Sequence, residues 1–254
     1  MSKLFSLEGR VALITGGSRG IGRMIAAGFL RQGARVYISA RKAAACDATA
    51  AELSSLGSCI SIPADVASAA GMASLVAAIT AREPRLDILV NNAGAAWGAP
   101  FDEFPESGWD KVVDLNLKAP FFLTQALHPL LSAAAKLQPA KVINIASIDG
   151  QTVNPQETYS YAASKAGLIH LTKRMALRLV ADGIVVNALC PGAFASDMNK
   201  DARDHGDEVA KRIPARRVGV DDDMAGAAIY LASRAGDYVV GTTLTVDGGV
   251  NLVR

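Results

Sequence analysis

The chain has 254 residues, half of them hydrophobic and 20% of them charged, and its formal net charge is +2. The composition is that of a globular protein of one or two domains, which excludes intrinsic disorder, and the near-neutral charge disfavours a dedicated nucleic-acid surface. The first ten residues lack the apolar run of a signal peptide, and no apolar stretch is long enough to span a membrane. We therefore expect a cytoplasmic protein with neither nucleic acid nor membrane as a partner.

Short β-branched runs alternate with longer helical patterns along the chain. Strands are predicted at 10–15, 34–40, 59–62, 86–90, 141–145, 184–189 and 243–246, and helices at 21–32, 43–56, 69–82, 106–135, 159–181 and 223–233. Nearly continuous apolar strands between helices are typical of a parallel sheet that is covered on both faces. Because no linker, charge block or internal repeat divides the chain, the prediction is a single α/β domain over residues 1–254. Ligands of such sheets bind beyond the carboxyl ends of the strands.

The polar segment 196–217 interrupts this alternation, because it is dense in Asp, Glu, Lys and Arg. A solvated pair of helices is the simpler interpretation, and a mobile lid over a substrate is the alternative. The cysteines and histidines are Cys46, Cys59, Cys190, His128, His170 and His205. None of them has the spacing of a disulfide framework or of metal ligands, so we predict no metal site and interpret the cysteines as small buried side chains in a reducing compartment.

A glycine-rich turn, residues 16–22, follows the first predicted strand. Gly16, Gly20 and Gly22 have the spacing Gly-x-x-x-Gly-x-Gly instead of the common Gly-x-Gly-x-x-Gly. In this position glycines form the turn, let the backbone approach a pyrophosphate, and leave the N–H groups of the helix N-terminus to bind the anion. The residues predicted to contact a dinucleotide here are Gly16, Ser18, Arg19, Gly20, Ile21 and Gly22. A tight turn without a ligand is the alternative.

The second predicted strand ends with cations where an NAD-binding chain has an acidic residue that binds the ribose 2′-hydroxyl. Here Ala40 is followed by Arg41 and Lys42, and Arg19 adds a cation in the glycine turn. Guanidinium groups at both places would form charge-assisted hydrogen bonds with a 2′-phosphate. We therefore predict NADP(H) in preference to NAD(H), with Arg41 as a solvated loop residue as the alternative.

Tyr161 and Lys165 are four residues apart, which places them on one face of a predicted helix. Ser147 lies 161 − 147 = 14 residues before the tyrosine, at the end of a predicted strand, so the loop between them can bring the two hydroxyls together. The sequence 92–94 closes another strand, and Asn116 lies in the helix that follows. A single Tyr-x-x-x-Lys is common on helix surfaces, but its combination with the serine predicts a catalytic group.

Together these motifs resemble the short-chain dehydrogenase/reductase family over residues 7–249. They occur in the order Thr15-Gly16-x-x-x-Gly20-x-Gly22, Asp65-Val66, Asn92-Ala93-Gly94, Asn116, Ser147, Tyr161-x-x-x-Lys165, Pro191-Gly192 and Asp247-Gly248-Gly249. The resemblance implies a Rossmann-type, doubly wound parallel sheet of seven strands and an enzyme that moves hydride between a nicotinamide and a carbonyl or alcohol. Within the family the chain is similar to the 3-oxoacyl-thioester reductases, which implies reduction of a 3-oxoacyl thioester to its 3-hydroxyacyl product.

The resemblance also implies a role for each catalytic residue. Tyr161 would be the general acid, with its pKa lowered by the Lys165 ammonium and by the oxidised cofactor. Ser147 would bind the substrate oxygen, and Asn116 would hold a water that links Lys165 to solvent. Tyr161 and Lys165 would contact the cofactor as well, the lysine at the nicotinamide ribose. Tyr159 has no lysine four residues later, and we assign it no catalytic role.

The remaining cofactor contacts follow from the resemblance alone. They are Asp65 and Val66 beside the adenine, Asn92, Ala93 and Gly94 along its ribose side, and Pro191 and Gly192 behind the nicotinamide. The family usually has a threonine a few residues after the Pro-Gly pair, and Ser196 is the nearest hydroxyl here. Whether it substitutes for that threonine is left open.

Alternatives remain for the substrate and for the partners. A polyol, sugar or secondary-alcohol dehydrogenase of the same family would use the same catalytic residues, whereas a non-catalytic cofactor-binding regulator is disfavoured because all four are intact. The side chains that could shape an apolar acyl pocket, or else belong to the core, are Trp97, Trp109 and Met198. The cations that could dock an acidic acyl carrier protein, or else form a solvated helix face, are Lys173, Arg174 and Arg178. The expected substrate is a small carbonyl compound, carried by acyl carrier protein or by CoA, and the expected assembly is a homotetramer or homodimer.

Overall fold

The computed structural model describes residues 3–253 and confirms the predicted doubly wound α/β fold. The strands are β1 Val11–Thr15, β2 Arg35–Ser39, β3 Cys59–Ser61, β4 Ile88–Asn91, β5 Ala140–Ile145, β6 Ile184–Pro191 and β7 Thr243–Val246. They form one parallel sheet in the order β3-β2-β1-β4-β5-β6-β7. The direction of winding changes between β1 and β4, so the loops after these two strands diverge and open a crevice at the carboxyl edge.

Helices cover both faces of this sheet because each strand is apolar on both sides. The helices are α1 Gly20–Arg31, α2 Ala43–Leu53, α3 Ala69–Thr80, α4 Glu106–Val113, α5 Ala119–Ala135, α6 Tyr159–Leu179, α7 Lys200–Asp204, α8 Gly206–Ala210 and α9 Asp221–Ala232. Helices α1, α2 and α9 bury their apolar residues on one face, and α3, α5 and α6 bury theirs on the other. Within residues 3–253, no helix combines the length and the apolar character that crossing a membrane would require.

The prediction of one continuous helix over 106–135 is wrong in its middle, where the π-helical turn Asp114–Lys118 separates α4 from α5. Pro120 has no N–H to donate to the carbonyl of Asn116 four residues earlier, and its ring would clash with that carbonyl in a regular helix. The N–H of Ala119 instead donates to the carbonyl of Asp114, five residues back. Such wider turns are frequent at functional sites, and this one holds Asn116 in the interior at 1% exposure.

The polar segment 196–217 contains the two short helices α7 and α8, as the simpler interpretation predicted. It leaves the sheet after β6, and two main-chain hydrogen bonds connect this part of the chain to the loops that follow β6 and β7. The N–H of Gly219 donates to the carbonyl of Ala193 at 2.9 Å, and the N–H of Ala215 donates to the carbonyl of Gly248 at 3.0 Å. The segment therefore lies at the same carboxyl edge as the crevice.

Charged side chains are buried at the opposite, amino-terminal edge of the sheet. The Lys141 ammonium at the start of β5 is 1% exposed and lies 2.7 Å from a carboxylate oxygen of Asp237. Burial lowers the pKa of Lys141, and the contact with Asp237 opposes that effect. The carboxylate therefore offsets part of the cost of burying the lysine charge, at the start of the strand that leads to the candidate site.

Replacement of this carboxylate tests how much the buried pair stabilises the sheet. We expect Asp237→Asn to lower the free energy of unfolding by about 2 kcal/mol, because it leaves the ammonium of Lys141 without a counter-charge. Urea denaturation at neutral pH measures the loss. Asp222→Asn is the matched control, since its pair with Arg31 at 3.6 Å is exposed on both sides and its removal should change little. Equal stability of the two variants would contradict this account.

Candidate active site

The glycine turn after β1 is held against the end of β4 by Thr15 and Asn92. The Thr15 hydroxyl accepts hydrogen bonds of 3.0 Å from the N–H groups of Asn92 and Ala93. The Asn92 amide in turn donates to the carbonyls of Thr15 at 2.9 Å and Gly16 at 3.1 Å. These bonds cross the crevice between β1 and β4, so the two loops form one rigid wall.

The turn has no space for a side chain at Gly16 or at Gly22. A Cβ atom on Gly22 would lie 2.4 Å from the Gly16 carbonyl oxygen, and one on Gly16 would lie 2.8 Å from the Asn92 amide nitrogen. Gly16 and Gly20 also have φ angles of +66° and +51°, in the left-handed region that favours glycine. The glycines are therefore required for the close packing of the turn against the start of α1 and the loop after β4.

Helix α1 presents its N-terminus to the crevice. Its N-cap residue, Arg19, forms no side-chain cap, and the first turn has no acidic residue. The free N–H groups and the helix dipole thus favour an anion at this point. Together with the glycine cradle, this arrangement fits the pyrophosphate of a dinucleotide.

The structure brings the predicted adenine-side residues together beside the turn. The N–H of Gly17 donates to the carbonyl of Ser39 at 3.2 Å, and the N–H of Ala64 donates to the carbonyl of Ala40 at 3.1 Å. Arg41 and Asp65 each come one residue after the bonded pair Ala40 and Ala64, so they lie in the neighbouring loops after β2 and β3. The Arg41 side chain is exposed and, within residues 3–253, has no carboxylate partner.

Arg19, the other predicted phosphate ligand, has a protein partner. Its guanidinium lies 2.7 Å from one carboxylate oxygen of Asp197, whose other oxygen is 2.9 Å from Arg203 of α7. Arg19 and Asp197 are 71% and 52% exposed, so the pair is screened by water and weak. The Asp197 carboxylate thus pairs with the guanidinium that we expect to bind a phosphate. The same pair connects the glycine turn to the polar segment 196–217.

The predicted catalytic residues meet at the carboxyl ends of β4 and β5. The Lys165 ammonium, only 4% exposed, donates to the carbonyl of Ile145 at the end of β5 at 2.7 Å. It also lies 5.6 Å from the centre of the Tyr161 ring. Ser147, two residues beyond Ile145, is in hydrogen-bonding contact with the Tyr161 side chain. The loop after β5 therefore returns to α6 as the 14-residue spacing predicted.

Burial controls the protonation of this group. It raises the pKa of Tyr161 to about 12, and the hydrogen bond with Ser147 only partly opposes the rise. Burial lowers the pKa of Lys165 from 10.5 to about 8. Loss of hydration is therefore the largest influence on the phenol. The expected lowering of the Tyr161 pKa by Lys165 together with the oxidised cofactor stays a prediction. At neutral pH the phenol keeps its proton.

Asn116 joins the loop after β4 to α6. Its Oδ1 accepts from the N–H of Ala95 at 2.8 Å, and its amide donates to the Ala95 carbonyl at 2.9 Å and to the Ser164 hydroxyl at 3.1 Å. A Cβ atom on Gly94 would lie 3.3 Å from Asn116 Oδ1 and 3.8 Å from Lys165 Nζ. Gly94 therefore lies directly beside both the asparagine oxygen and the lysine ammonium.

Three residues at the site were missed by the sequence analysis. Ser164 bonds both to Asn116 and, at 2.8 Å, to the main-chain carbonyl of Tyr161. Thr15 holds the two loops together, and Cys190 lies near Lys165, with burial raising the pKa of its thiol to about 11. A signal existed for the first two, since Ser164 lies inside the Tyr-x-x-x-Lys motif and Thr15 directly precedes the glycine turn.

The other predicted residues lie at the ends of strands or beside the glycine turn. Pro191 is the last residue of β6 and Gly192 follows it, with the Gly192 N–H bonded to the Val246 carbonyl at 2.9 Å. Ser196 lies beside the glycine turn, with its Cβ 3.3 Å from a Cβ built on Gly20, and its hydroxyl accepts from the N–H of Asn199 at 3.1 Å. Val66 is buried in the core on the α3 face. Among the described residues, no three His, Cys, Asp or Glu side chains form a group that could hold a metal.

The tryptophans pack around α4, and the basic cluster on α6 is exposed. The Trp97 ring lies against Gly108, and the Trp109 ring meets Phe104 edge to face at 6.3 Å. Met198 is exposed in the polar segment. The exposed cations on α6 are Lys173, Arg174 and Arg178, of which Arg178 pairs with Asp182 at 2.8 Å. An apolar acyl pocket and a carrier dock on α6 stay predictions.

Comparison with known proteins gives consistent matches over the whole chain. A family model described as "Enoyl-(Acyl carrier protein) reductase" matches residues 16–251. The rhamnolipids biosynthesis 3-oxoacyl-[acyl-carrier-protein] reductase of Pseudomonas aeruginosa is 46% identical across 99% of this chain and 100% of its own length. Gluconate 5-dehydrogenase of Gluconobacter oxydans is 36% identical, covering 98% and 97%. The solved Pseudomonas aeruginosa RhlG/NADP active-site complex has a TM-score of 0.95 at 46% identity, covering 99% of this chain and 100% of that one.

The lowered pKa of Lys165 predicts a pH dependence of stability. Because the lysine binds its proton more weakly in the folded chain than in the unfolded one, the stability should rise as pH rises from about 8 towards 10.5. Between about pH 7.5 and about pH 9.5 the gain relative to Lys165→Met should be about 2 kcal/mol, since the methionine cannot titrate. Urea denaturation of both proteins across this range measures the difference. Parallel curves would show that Lys165 has an ordinary pKa.

Proposed function

Because the chain belongs to the short-chain dehydrogenase/reductase family of oxidoreductases, we propose that it reduces the ketone of a 3-oxoacyl thioester with NADPH as the hydride donor. The observation that carries the chemistry is the contact of the Tyr161 phenol with Ser147, beside the buried Lys165 ammonium and next to the glycine cradle. The substrate class is supported by the 46% identical reductase that acts on 3-oxoacyl carrier-protein thioesters.

The cradle and the strand ends would hold the dinucleotide. The N-terminus of α1 would bind its pyrophosphate, and the loop 92–94 would lie along its ribose side. The Lys165 ammonium would bind the nicotinamide ribose. The bound cofactor supplies a hydride to the carbonyl carbon of the substrate.

The protein's own groups manage the charge that develops on the substrate oxygen. Ser147 donates a hydrogen bond to this oxygen, and Tyr161 transfers its phenolic proton to it. A phenol with a pKa of about 12 is protonated at neutral pH, which is the form that reduction requires. The ammonium of Lys165 then stabilises the phenolate that remains, because an opposite charge close by favours the ionised form.

Asn116 would support the return of the proton to Tyr161. Its Oδ1 accepts only the N–H of Ala95 among the described residues, so one lone pair is available for a water beside Gly94. Such a water would connect the Lys165 ammonium to solvent. Asn116 is in this respect a positioning residue, with its own orientation set by Ala95 and Ser164.

Cations around the adenine end support NADP(H) as the preferred cofactor. Arg41 is free to pair with a 2′-phosphate, and Arg19 can exchange its exposed partner Asp197 for the same group. The related RhlG structure is a complex with NADP. Oxidation of a sugar acid is the second candidate activity, because the gluconate 5-dehydrogenase is also a relative at 36% identity.

Consumption of NADPH with a panel of substrates tests the proposed function. The panel contains 3-oxoacyl thioesters of several chain lengths, an enoyl thioester, simple ketones and 5-ketogluconate. We expect the 3-oxoacyl thioesters to have the highest kcat/KM, and Tyr161→Phe to lower kcat by at least about a thousandfold, because the proton donor is lost. Tyr159→Phe is the matched control and should keep its activity. Faster turnover of the sugar acid, or an active Tyr161→Phe that still binds cofactor, would refute the proposal.

Two further variants test the cofactor preference. Arg41→Ala should lower kcat/KM with NADPH by about tenfold and leave NADH nearly unchanged, because it removes charge-assisted hydrogen bonds to the 2′-phosphate only. Asp197→Asn should change the preference in the opposite direction, since it frees Arg19. Steady-state kinetics with both cofactors measure the ratio. A ratio that is the same in wild type and Arg41→Ala would exclude Arg41 as the phosphate ligand.

A further inference from the structure

The end of the polar segment, residues 211–217, carries four cations and no acidic residue. Its Ile213 is 3% exposed and packs on Gly248, where a Cβ would come within 2.8 Å of the isoleucine side chain. Pro214 packs on Gly249 in the same way, since a Cβ on Gly249 would lie 3.2 Å from the proline side chain. The segment is therefore fixed to the turn after β7, at the carboxyl edge that contains the candidate active site, and its cations face outward. We name it the cationic rim.

Two of the four cations are neutralised and two are not. Lys211 lies 2.6 Å from Glu208, and Arg217 bonds to both carboxylate oxygens of Asp223. Within residues 3–253, Arg212 and Arg216 have no carboxylate partner. The rim thus has a net positive charge that faces solvent beside the crevice.

Arg216 has an unfavourable backbone conformation. Its φ is +59°, and it is the only non-glycine residue of the described chain with a positive φ. A β-carbon is strained in this region, and glycine would be accommodated without cost. The Arg216 side chain donates one hydrogen bond, from Nη1 to the Lys211 carbonyl at 2.6 Å, and is otherwise exposed. A strained position that carries an exposed guanidinium is better explained by a ligand than by stability.

We propose that Arg212 and Arg216 of the cationic rim bind the phosphate of the phosphopantetheine arm of an acyl carrier protein. The inference rests on the proposed function, since this carrier presents the 3-oxoacyl thioester to the crevice. A guanidinium matches a phosphate in charge and in geometry, and the surface around the arm of an acidic carrier would add long-range attraction. The pantetheine arm separates phosphate from thioester, so the phosphate can bind at the rim while the ketone reaches Tyr161.

The rim is a better candidate for this contact than the cations of α6. Arg178 is already paired with Asp182, and the side chains of α6 that carry charge follow the catalytic residues along the helix, away from the crevice edge. The rim instead follows the loop that leaves β6 and is bonded to the turn after β7. Its arginines therefore lie at the carboxyl edge of the sheet, the edge that also contains Tyr161 and Lys165.

Kinetics of Arg216→Gly with two substrates test this contact. The first substrate is a 3-oxoacyl carrier-protein thioester, and the second is the same acyl group on N-acetylcysteamine, which has no phosphate. We expect the KM for the carrier substrate to rise about five- to tenfold with kcat unchanged, and the analogue to be unaffected. The difference should disappear at high ionic strength, because salt screens exposed charges.

Glycine at this position separates recognition from folding. Since glycine relieves the strained φ, Arg216→Gly should melt at the temperature of the wild type or above it, so a raised KM cannot be attributed to misfolding. Arg216→Lys keeps the charge and should retain most of the affinity. Arg174→Ala removes an exposed cation of α6 and should leave the KM for the carrier substrate unchanged.

Direct binding of the holo carrier protein, without an acyl group, makes the result independent of turnover. Weaker binding to Arg216→Gly than to the wild type supports the proposal, even if the N-acetylcysteamine thioester is not reduced and the proposed function fails. Equal binding, or a loss confined to Arg174→Ala, overturns it. An effect of Arg216→Gly on the CoA thioester but not on the carrier thioester overturns it as well, because the rim would then recognise the phosphates of CoA.

Discussion

The burial of one ammonium group connects the fold of this protein to its chemistry. Lys165 reaches from α6 to the end of β5 and donates to the carbonyl of Ile145 at 2.7 Å, and it is 4% exposed. A charge in this position is unfavourable unless polar groups surround it, and its lowered pKa of about 8 reflects that. Because the hydrogen bond fixes α6 along β5, it also sets where Tyr161 and Ser147 meet. The site is thus polarised before any ligand binds, and a ligand with hydroxyl groups would relieve the desolvated lysine.

Polar side chains that join neighbouring strands and helices support this arrangement. Asn144 in β5 accepts from Asn91 in β4 at 2.8 Å and donates to Thr172 in α6 at 2.9 Å, all of them buried. Asn116 likewise joins the loop after β4, at Ala95, to α6, at Ser164. Buried polar groups that are fully bonded specify one packing, because any shift would leave a donor without a partner. Helix α6 is therefore held at two positions along its length, Ser164 and Thr172.

The structure differs from the sequence predictions where contacts between distant parts of the chain, or a single proline, override a local pattern. Apolar periodicity predicted one helix over 106–135, and Pro120 replaced its middle with a wider turn that turns Asn116 inward. The spacing of Tyr161 and Lys165 predicted their proximity, but it carried no measure of burial, which raises the pKa of the tyrosine to about 12. The pairing of Arg19 with Asp197 joins residues 178 positions apart, which no local pattern reveals.

The amino-acid sequence determined the alternation of strands and helices and placed the candidate site at the carboxyl edge, because apolar periodicity and turn residues are encoded within each strand–turn–helix unit. It indicated the pairing of Tyr161 with Lys165 through their spacing, whereas the other candidate contacts rested on the family resemblance. Tertiary structure alone decided which residues face each other across units, as in the brace of Thr15 and Asn92 or the position of Gly94 beside Asn116 and Lys165. It also decided how strongly each ionisable group is desolvated. Those properties depend on atoms that are brought together by folding, so residue order cannot state them.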